Sequence, residues 1–218
     1  KIGLSDYLRM EGMALRFVPE KRAPGVEFVN AEILSRQLIE NPGYSKTFQP
    51  GFKFRGLNDP TVFFDDNHLR MTQNYRSAFI RLAIYYVNTG KNELAIQSLD
   101  KMEKVMPRKI NKMEFGLMFE LSNIYFNAGA EKQYKEIAYE VEKLALTALE
   151  ENQQDVQSYY NPYRVLIETY ENLKEYRKSM EIWQRLQTLY PNDPNVKTNI
   201  DKYNKLAIEQ DSISKANN

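Results

Sequence analysis

The sequence predicts an all-α fold in which antiparallel helix pairs stack into a superhelix behind an irregular N-terminal extension. Six of the nine glycines and five of the nine prolines lie in residues 1–65, which favours loops, short strands and a single helix there. From residue 66 onward, apolar residues recur at helical spacing. Within that part, one arrangement of large and small residues occurs three times, as expected for stacked helix pairs.

The chain divides into an irregular segment, a helical region and a tail. Residues 1–65 are expected to pack on the helices and to contain one helix near Asn30–Glu40. Either Asp65 or Asp66 is suited to cap the first long helix, because its carboxylate can accept the free N–H groups of the first turn. The helical region is predicted to cover residues 66–209.

Three windows in the helical region have the spacing of the tetratricopeptide repeat (TPR), a pair of antiparallel helices. Small residues at two positions let the helices approach closely, and large apolar residues fill the space beside them. The first window matches at Phe79, Leu82, Ala83, Tyr86, Gly90, Ala95, Leu99 and Pro107. The third matches at Tyr163, Leu166, Tyr170, Ser179, Trp183, Leu186 and Pro191. It has Ile167 where a small residue is usual and Lys174 where glycine is usual.

The middle window fits the repeat in its first helix only. Its matching residues are Met118, Leu121, Ser122, Tyr125 and Gly129. Tyr134 stands where the second helix needs a small residue, so we expect that helix to be displaced or longer. Successive windows are offset by 39 and 45 residues, more than the roughly 34 of an ideal repeat, which predicts an extended connection near Glu150–Tyr159.

A capping helix is predicted after the third window. Asp193 supplies an N-cap and Pro194 the first helical position. The residues on one face of this helix are Val196, Ile200 and Tyr203. From about Gln210 the sequence is polar, which predicts a frayed tail over residues 210–218.

Composition and motifs argue against a catalytic, cofactor or metal site in this chain. It has no cysteine, which excludes thiolate metal sites and cysteine nucleophiles, and its net charge of +1 favours no nucleic-acid partner. The single histidine, His68, lies beside aspartates that a helix cap explains, and Glu11 is expected to form a structural ion pair with Arg9 or Arg16. No phosphate-binding or nucleophile-elbow motif occurs. We therefore predict no enzymatic activity, no cofactor and no metal for these residues.

The predicted recognition surface is the concave face of the repeats. Its members are Ile80, Ile84, Val87, Asn88, Phe119, Asn123, Phe126, Asn127, Arg164, Glu168, Glu171 and Asn172. Asparagine recurs at one position of all three windows, and its amide can both donate to and accept from an extended peptide backbone. The alternative is that the apolar members are buried against residues 1–65, which leaves no open groove; these members are Ile80, Ile84, Phe119 and Phe126.

Several short motifs, most of them in the front segment, resemble sequences of a bacterial family of large multi-spanning membrane proteins. They are the run Tyr7–Pro19 (YLRMEGMALRFVP), Phe54–Leu57, Val62–Asp65 and Arg70-Met71. The N-terminal membrane part of that family is similar to the eukaryotic transmembrane O-mannosyltransferases of GT-C type, and its C-terminal part ends in TPRs. The resemblance implies that this chain is the extracytoplasmic, periplasmic tail of a membrane glycosyltransferase that uses a lipid-linked sugar donor.

On this basis the predicted function is scaffolding: the chain recruits or orients a protein acceptor for the parent membrane domain. The first residue, Lys1, is not methionine, which also predicts a fragment of a longer protein. Two alternatives stay open, a free-standing TPR adaptor and a carbohydrate-binding site built on Phe52, Phe54 and Phe63. One basic cluster fits membrane-surface contact better than nucleic-acid binding, although a solvated face explains it as well: Arg108, Lys109 and Lys112.

Overall fold

The structure, a computed structural model, describes residues 3–23, 28–40 and 51–216. By their internal contacts the residues form two compact units. The first comprises Lys1–Glu114 with Asn127–Ala130, and the second comprises Phe115–Phe126 with Glu131–Asn218. None of the helices within the described ranges has both the length and the apolar character that a membrane crossing requires.

Over these ranges the fold is mostly helical. The elements are a 3-10 helix (Ser5–Tyr7), strands β1 (Leu8–Glu11) and β2 (Ala14–Phe17), and helices α1 (Ala31–Leu38), α2 (Asp66–Asn88), α3 (Asn92–Val105), α4 (Phe115–Asn127), α5 (Glu131–Glu151), α6 (Pro162–Leu173), α7 (Tyr176–Leu189) and α8 (Pro194–Ala216). The predictions of a mainly α fold, and of short strands and one helix in the front segment, are confirmed.

In the front segment, β1 and β2 form an antiparallel hairpin whose charged end is tied to α1. Glu11 Oε2 lies 2.8 Å from Arg16 Nε, and Glu11 Oε1 accepts a hydrogen bond from Asn30 Nδ2 at 3.0 Å. The Asn30 side chain in turn accepts from Ile33 N and caps α1. The predicted structural ion pair of Glu11 is confirmed with Arg16, because Arg9 instead donates to backbone carbonyls.

Helix α2 begins where the sequence predicted. The Asp65 side chain accepts a hydrogen bond from His68 N at 2.8 Å, so Asp65 is the N-cap. The front segment packs on this helix through aromatic rings, with the Phe54 centroid 5.8 Å from Tyr75 and 5.5 Å from Phe79. Residue 65 therefore marks the start of the helix, whereas the first compact unit continues past it to residue 114.

Helices α2 and α3 pack on each other as a hairpin. The small residues Ala83 and Ala95 are fully buried, and Ser98 Oγ donates to the Phe79 carbonyl at 3.3 Å across the pair. Gly90 occupies the turn with φ of +70°, a conformation that favours glycine. The close approach of these two helices follows from the small side chains between them.

A buried arginine fixes the segment that follows α3. Arg76 of α2 is fully buried, and its Nη2 donates to the carbonyl of Met106 at 3.1 Å and to that of Asn111. Its Nη1 donates to the Lys112 carbonyl at 3.3 Å. Burial lowers the pKa of Arg76 from 12.5 to about 10, so the guanidinium stays charged at neutral pH. Asn111 is buried too, and its Nδ2 donates to the Leu57 carbonyl, which links this segment to the front segment.

In the second unit, α5 and its connection to α6 explain the irregular offset of the windows. α5 has 21 residues, so the predicted lengthening is confirmed. Tyr134, at the position where a small residue is usual, is buried with its ring 5.0 Å from that of Phe126. The predicted extended connection covers residues 152–161. Its Tyr160 ring fills the space beside Gly116 of α4, where an added Cβ would lie 2.4 Å from the ring.

Helices α6 and α7 pack on each other as a hairpin, as α2 and α3 do. Lys174 occupies the turn with φ of +60°, although it carries a side chain. Helix α7 has 14 residues, as α3 has. The residues after these two helices, Met106 and Tyr190, have φ of −139° and −128° and ψ of 67° and 65°. The second helices of the first and third windows therefore agree in length and in the conformation of the residue that follows them.

Helix α8 packs on α7 and closes the second unit. It begins at Pro194, as predicted, and Asp193 Oδ1 accepts from Asn195 N at 2.8 Å. Val196 and Tyr203 are buried on its inner face. Helix α8 includes residues 210–216 of the segment predicted to be a frayed tail.

The helix extends past Gln210 because its polar residues find partners. Ser212 Oγ donates to the Ile208 carbonyl at 2.9 Å, one turn earlier in α8. The Asp211 carboxylate forms an ion pair with Arg177 of α7. A polar composition therefore does not by itself end a helix that has a neighbouring helix to pair with.

Candidate functional site

The predicted concave-face residues are divided between the two units. Ile84, Val87 and Asn88 lie at the end of α2, in the first unit; Ile84 and Asn88 are exposed and Val87 is half-buried. Asn127, also in the first unit, is exposed at the end of α4. Ile80 is buried and is not part of the surface. The remaining predicted residues lie in the second unit, where three of them contact one another.

A polar network joins α4 to α6 in the second unit. Asn123 Nδ2 donates to Glu168 Oε1 at 2.8 Å, and Glu168 Oε2 lies 3.9 Å from Arg164 Nε. The Arg164 Nη1 donates to the Tyr159 carbonyl at 3.0 Å, and its guanidinium lies 4.9 Å from the Tyr159 ring centroid. Three predicted residues, Asn123, Arg164 and Glu168, are therefore held together by contacts that fix their side chains.

The third predicted asparagine, Asn172, lies beside a buried tyrosine. Tyr134 OH donates to the Thr169 carbonyl at 3.2 Å. Burial raises the pKa of Tyr134 from 10.0 to about 12, and a hydrogen bond with Asn172 opposes this rise. Phe126, whose ring stacks near that of Tyr134, is 43% exposed. Asn172 thus supports Tyr134, and Phe126 presents an apolar surface next to it.

Of the four apolar residues that the alternative expects to be buried against residues 1–65, two are buried, without a contact to that segment being shown. Ile80 and Phe119 are buried, with exposures of 4% and 2%. Ile84 and Phe126 are 38% and 43% exposed, so the prediction that they are buried is wrong. Within each pair the exposed residue is the one nearer the C-terminal end of its helix.

The polar network of α6 lies beside a cavity of about 620 Å³ in the second unit. Its lining residues come from α6, α7, the start of α8 and the connections around them: Val156, Asn161, Tyr163, Arg164, Ile167, Glu168, Glu171, Trp183, Leu186, Tyr190, Asp193 and Val196. A cavity of this size is within the range of small-molecule and side-chain binding pockets. Arg164 and Glu168 belong both to this cavity and to the network that joins α4 and α6.

The cavity exists because three apolar positions of the α6–α7 hairpin are not covered as they are in α2–α3. Trp183 and Leu186 are half-buried and Tyr190 is 42% exposed. Their counterparts 84 residues earlier in the sequence are all fully buried: Leu99, Met102 and Met106. Ile167, which replaces the small Ala83, is itself half-buried at the cavity wall. The same backbone therefore forms a closed core in one copy and an open cavity in the other.

Polar groups at the cavity give it the means to orient a bound chain. The Trp183 indole nitrogen is buried and has no acceptor among the described residues. The acidic residues at the cavity are Glu168, Glu171 and Asp193, and the basic residue that lines it is Arg164. Glu171 Oε1 lies 3.3 Å from Lys202 Nζ. The arrangement is that of an apolar pocket with a few polar groups.

Sequence reasoning missed most of this cavity. Trp183 and Leu186 were assigned to the repeat core by their spacing, and Tyr190 received no role. The usable signal was Ile167, because a large residue at a position that normally holds a small one prevents the helices from closing there.

The structure separates the residues of the predicted carbohydrate site. The Phe52 and Phe54 rings lie 5.4 Å and 5.8 Å from the Tyr75 ring and pack against it. Phe63 instead lines a cavity together with Lys109 and Lys112. His68 Nδ1 lies 2.7 Å from its cap residue Asp65. Within the described ranges, no three His, Asp or Glu side chains are placed to hold a metal ion.

Comparison with known proteins found no match to a family model, to a curated protein or to a solved structure. The site is interpreted below from its own geometry.

Proposed function

We propose that this chain is a protein-interaction module built from TPR-like helix pairs. The proposal is supported by backbone features that recur at equivalent positions of the windows. The turn residues Gly90, Gly129 and Lys174 all have positive φ, between +60° and +78°. The second helices of the first and third windows have equal length and are each followed, after one residue, by a proline: Pro107 and Pro191. Such recurrence is the property of a repeat architecture.

The observation that carries the proposal is the open cavity beside α6. Apolar side chains at Trp183, Leu186 and Tyr190 are left partly exposed at positions whose counterparts in α2–α3 are fully buried. Exposed apolar surface that is grouped in a concavity and bordered by polar groups marks a binding site. An apolar side chain of a partner polypeptide would complete the burial that the hairpin lacks.

The polar groups favour an extended peptide as the ligand. The exposed Arg164 guanidinium can donate to a peptide carbonyl, and Glu168 can accept from a peptide N–H. The acidic side chains at the cavity favour a peptide with a basic residue near its apolar anchor. The partner is therefore proposed to present a Leu or Phe side chain flanked by Lys or Arg.

Fluorescence of Trp183 tests this proposal directly, because it is the only tryptophan of the chain. The probes are synthetic peptides of alternating polar residues with a central Leu, Phe or Ser, each made with flanking Lys or Glu. Saturable changes in emission are expected for the Leu and Phe peptides with flanking Lys, and none for the Ser peptides. Common hexoses form a separate arm, and a saturable change with a hexose would support the carbohydrate alternative instead.

Matched variants locate the binding. Leu186→Asp, which places a charge in the cavity, is expected to abolish peptide binding. Leu94→Asp is the control, because Leu94 is exposed on α3, outside the cavity. Binding that survives Leu186→Asp, or emission that responds equally to every peptide, would show that the cavity is not the site.

We propose in addition that the chain is the extracytoplasmic part of a glycosyltransferase-like membrane protein, and that the bound polypeptide is an acceptor recruited or oriented for the membrane domain. The support is the resemblance of the front motifs, such as Tyr7–Pro19. Membrane-spanning segments encoded immediately upstream of Lys1 are expected. A start codon or a signal peptide at that place would favour the free-standing adaptor. Deletion of residues 66–218 from the full protein, followed by a transfer assay in membranes, tests the recruiting role.

A further inference from the structure

A second surface, in the first unit, combines an exposed apolar loop with basic residues. We call the loop of residues 60–64 the Phe63 tip. Phe63 is 87% exposed, the highest value among the large apolar residues of the described ranges, and Val62 beside it is 41% exposed. Neither the repeat core nor the cavity of the second unit uses these residues. Two adjacent apolar side chains on one loop require a physical explanation, because each leaves apolar area in water.

The Phe63 tip is held in an exposed position by a hydrogen-bonded turn. Asp59 Oδ1 accepts from Thr61 N at 2.9 Å and from Thr61 Oγ1 at 2.7 Å. Val62 N donates to the Asp59 carbonyl at 3.3 Å, and Asp59 N donates to the Gly56 carbonyl at 3.2 Å. These bonds fix the backbone on the N-terminal side of Phe63. The exposure of Phe63 is therefore a property of an ordered turn.

Basic side chains lie across a cavity from the Phe63 tip. The cavity has a volume of about 520 Å³, and its other wall contains Lys109, Ile110 and Lys112. Both lysines are exposed, and the backbone that carries them is held by the buried Arg76 through the carbonyls of Asn111 and Lys112. Two positive charges are thus presented at fixed positions beside an exposed aromatic ring.

We propose that this surface docks onto a bilayer that contains anionic phospholipid. Phe63 and Val62 would enter the interface between headgroups and acyl chains, and Lys109 and Lys112 would contact headgroup phosphates. An apolar tip with adjoining lysines is the combination that binds peripheral proteins to anionic membranes. The acidic residues nearest in sequence to the tip, Asp59 and Asp65, accept hydrogen bonds from Thr61 and His68, which lower their pKa and keep both carboxylates charged.

The chemistry of the surface favours a bilayer over the other macromolecules. A stable protein interface buries roughly 1,200–2,000 Å², far more than one aromatic ring and one valine provide. Nucleic-acid binding requires many phosphate contacts, and this wall supplies two lysines. A bilayer needs only a small apolar insertion and a few positive charges, and its binding is correspondingly weak and reversible.

Vesicle co-sedimentation of the 218-residue chain tests this proposal. The probes are vesicles of phosphatidylcholine alone and of phosphatidylcholine mixed with phosphatidylglycerol, at low and raised salt. Binding is expected only to the anionic vesicles and is expected to weaken with salt. Each of Lys109→Gln and Lys112→Gln should lower the partition coefficient about five-fold, and Phe63→Ser at least about ten-fold.

Three variants serve as controls. Lys109→Arg with Lys112→Arg keeps both charges and should retain binding. Phe17→Ser removes an exposed ring on β2, and Lys132→Gln removes an exposed lysine on α5; both should bind as the unaltered chain does. Failure to bind anionic vesicles would overturn the proposal. Binding that Phe63→Ser and the lysine variants leave unchanged would overturn it too, and neither result would affect the peptide cavity of the second unit.

Discussion

The α2–α3 and α6–α7 hairpins have second helices of equal length, but their corresponding apolar side chains differ in burial. In both, 14-residue second helices follow turns with a left-handed residue. Ala83 lets the first pair close completely, whereas Ile167 stands at the wall of a cavity in the second. Three apolar positions correspond between the two hairpins. In the first they are buried, at Leu99, Met102 and Met106. In the second they line the cavity, at Trp183, Leu186 and Tyr190.

The comparison teaches that similar helix pairs can be closed or open, according to which residues cover them. The first unit supplies internal cover: the front segment places Phe54 on Phe79, and Arg76 fastens the segment after α3. The counterpart of Phe79 is Tyr163, which lines the cavity and donates its hydroxyl to the Gln153 carbonyl at 2.8 Å. An unsatisfied apolar surface then remains for a partner.

Replacement of the buried Arg76 should destabilise the packing around the α2–α3 hairpin, and its effect on the free energy of unfolding should be the largest. Arg76→Met leaves three backbone carbonyls without their donor in the interior, and we expect a loss of about 3–5 kcal/mol in the free energy of unfolding. Urea unfolding followed by circular dichroism measures it. Arg70→Met is the matched control, because Arg70 is exposed on the same helix. Equal losses for both variants would mean that Arg76 does not anchor the segment.

High pH should lower the stability of the folded chain around Tyr134 of α5, which lies beside the α6–α7 hairpin. Tyr134 keeps its proton in the folded chain to about pH 12, whereas an unfolded tyrosine loses it near 10.0. The folded state is therefore favoured in full below pH 10, and this advantage is lost as the pH rises from 10 to 12, by up to about 1.4 kcal/mol per pH unit. Burial also raises the pKa of Tyr163 and Tyr170 on α6, in the same direction.

Tyr134→Phe provides the control for this pH dependence. The unfolding free energy of the variant should decline less steeply between pH 10 and 12. Its slope should correspond to about one proton fewer, because the tyrosine with the raised pKa has been removed. Urea titrations at several pH values measure the slope. An unchanged slope would show that Tyr134 does not contribute.

An exchange of the small and large residues tests the central difference between the hairpins. Ala83→Ile forces extra volume into a closed interface, and we expect a loss of about 1–3 kcal/mol. Ile167→Ala removes a side chain at the wall of an existing cavity, so a loss of about 1 kcal/mol or less is expected. Thermal unfolding compares the two. Equal losses would mean that Ile167 is packed as tightly as the core and that the cavity is not open.

Much of the fold was predictable, because local rules determine it. The Asp65 cap, the Asp193-Pro194 start of α8 and the long α5 follow from N-cap chemistry, proline geometry and the offset between windows. The end of α8 was not predictable, because the polar residues from Gln210 onward give no local signal that the helix continues. Contacts between distant residues have no local signature in a single sequence.

The candidate site was predictable only in part, for the same reason. The spacing identified Arg164, Glu168 and Asn123, which do contact one another. It assigned Trp183 to the core because periodicity identifies the inward face of a helix but not whether another element covers that face. The Phe63 tip has no periodic pattern, and its exposure follows from the turn at Asp59.

The smallest expected effect distinguishes the turns of the two hairpins. Gly90 and Lys174 have almost the same left-handed φ, and a Cβ at Gly90 would meet no atom within 4 Å. Only the backbone preference of glycine separates them, so Lys174→Gly should stabilise the chain by about 1 kcal/mol and Gly90→Lys should destabilise it by a similar amount. Differential scanning calorimetry of the two variants and the unaltered chain measures both. Because the two changes are mirror images, their effects should cancel in the double variant. A sum far from zero would mean that the side chain of Lys174, and not its backbone alone, contributes to the turn.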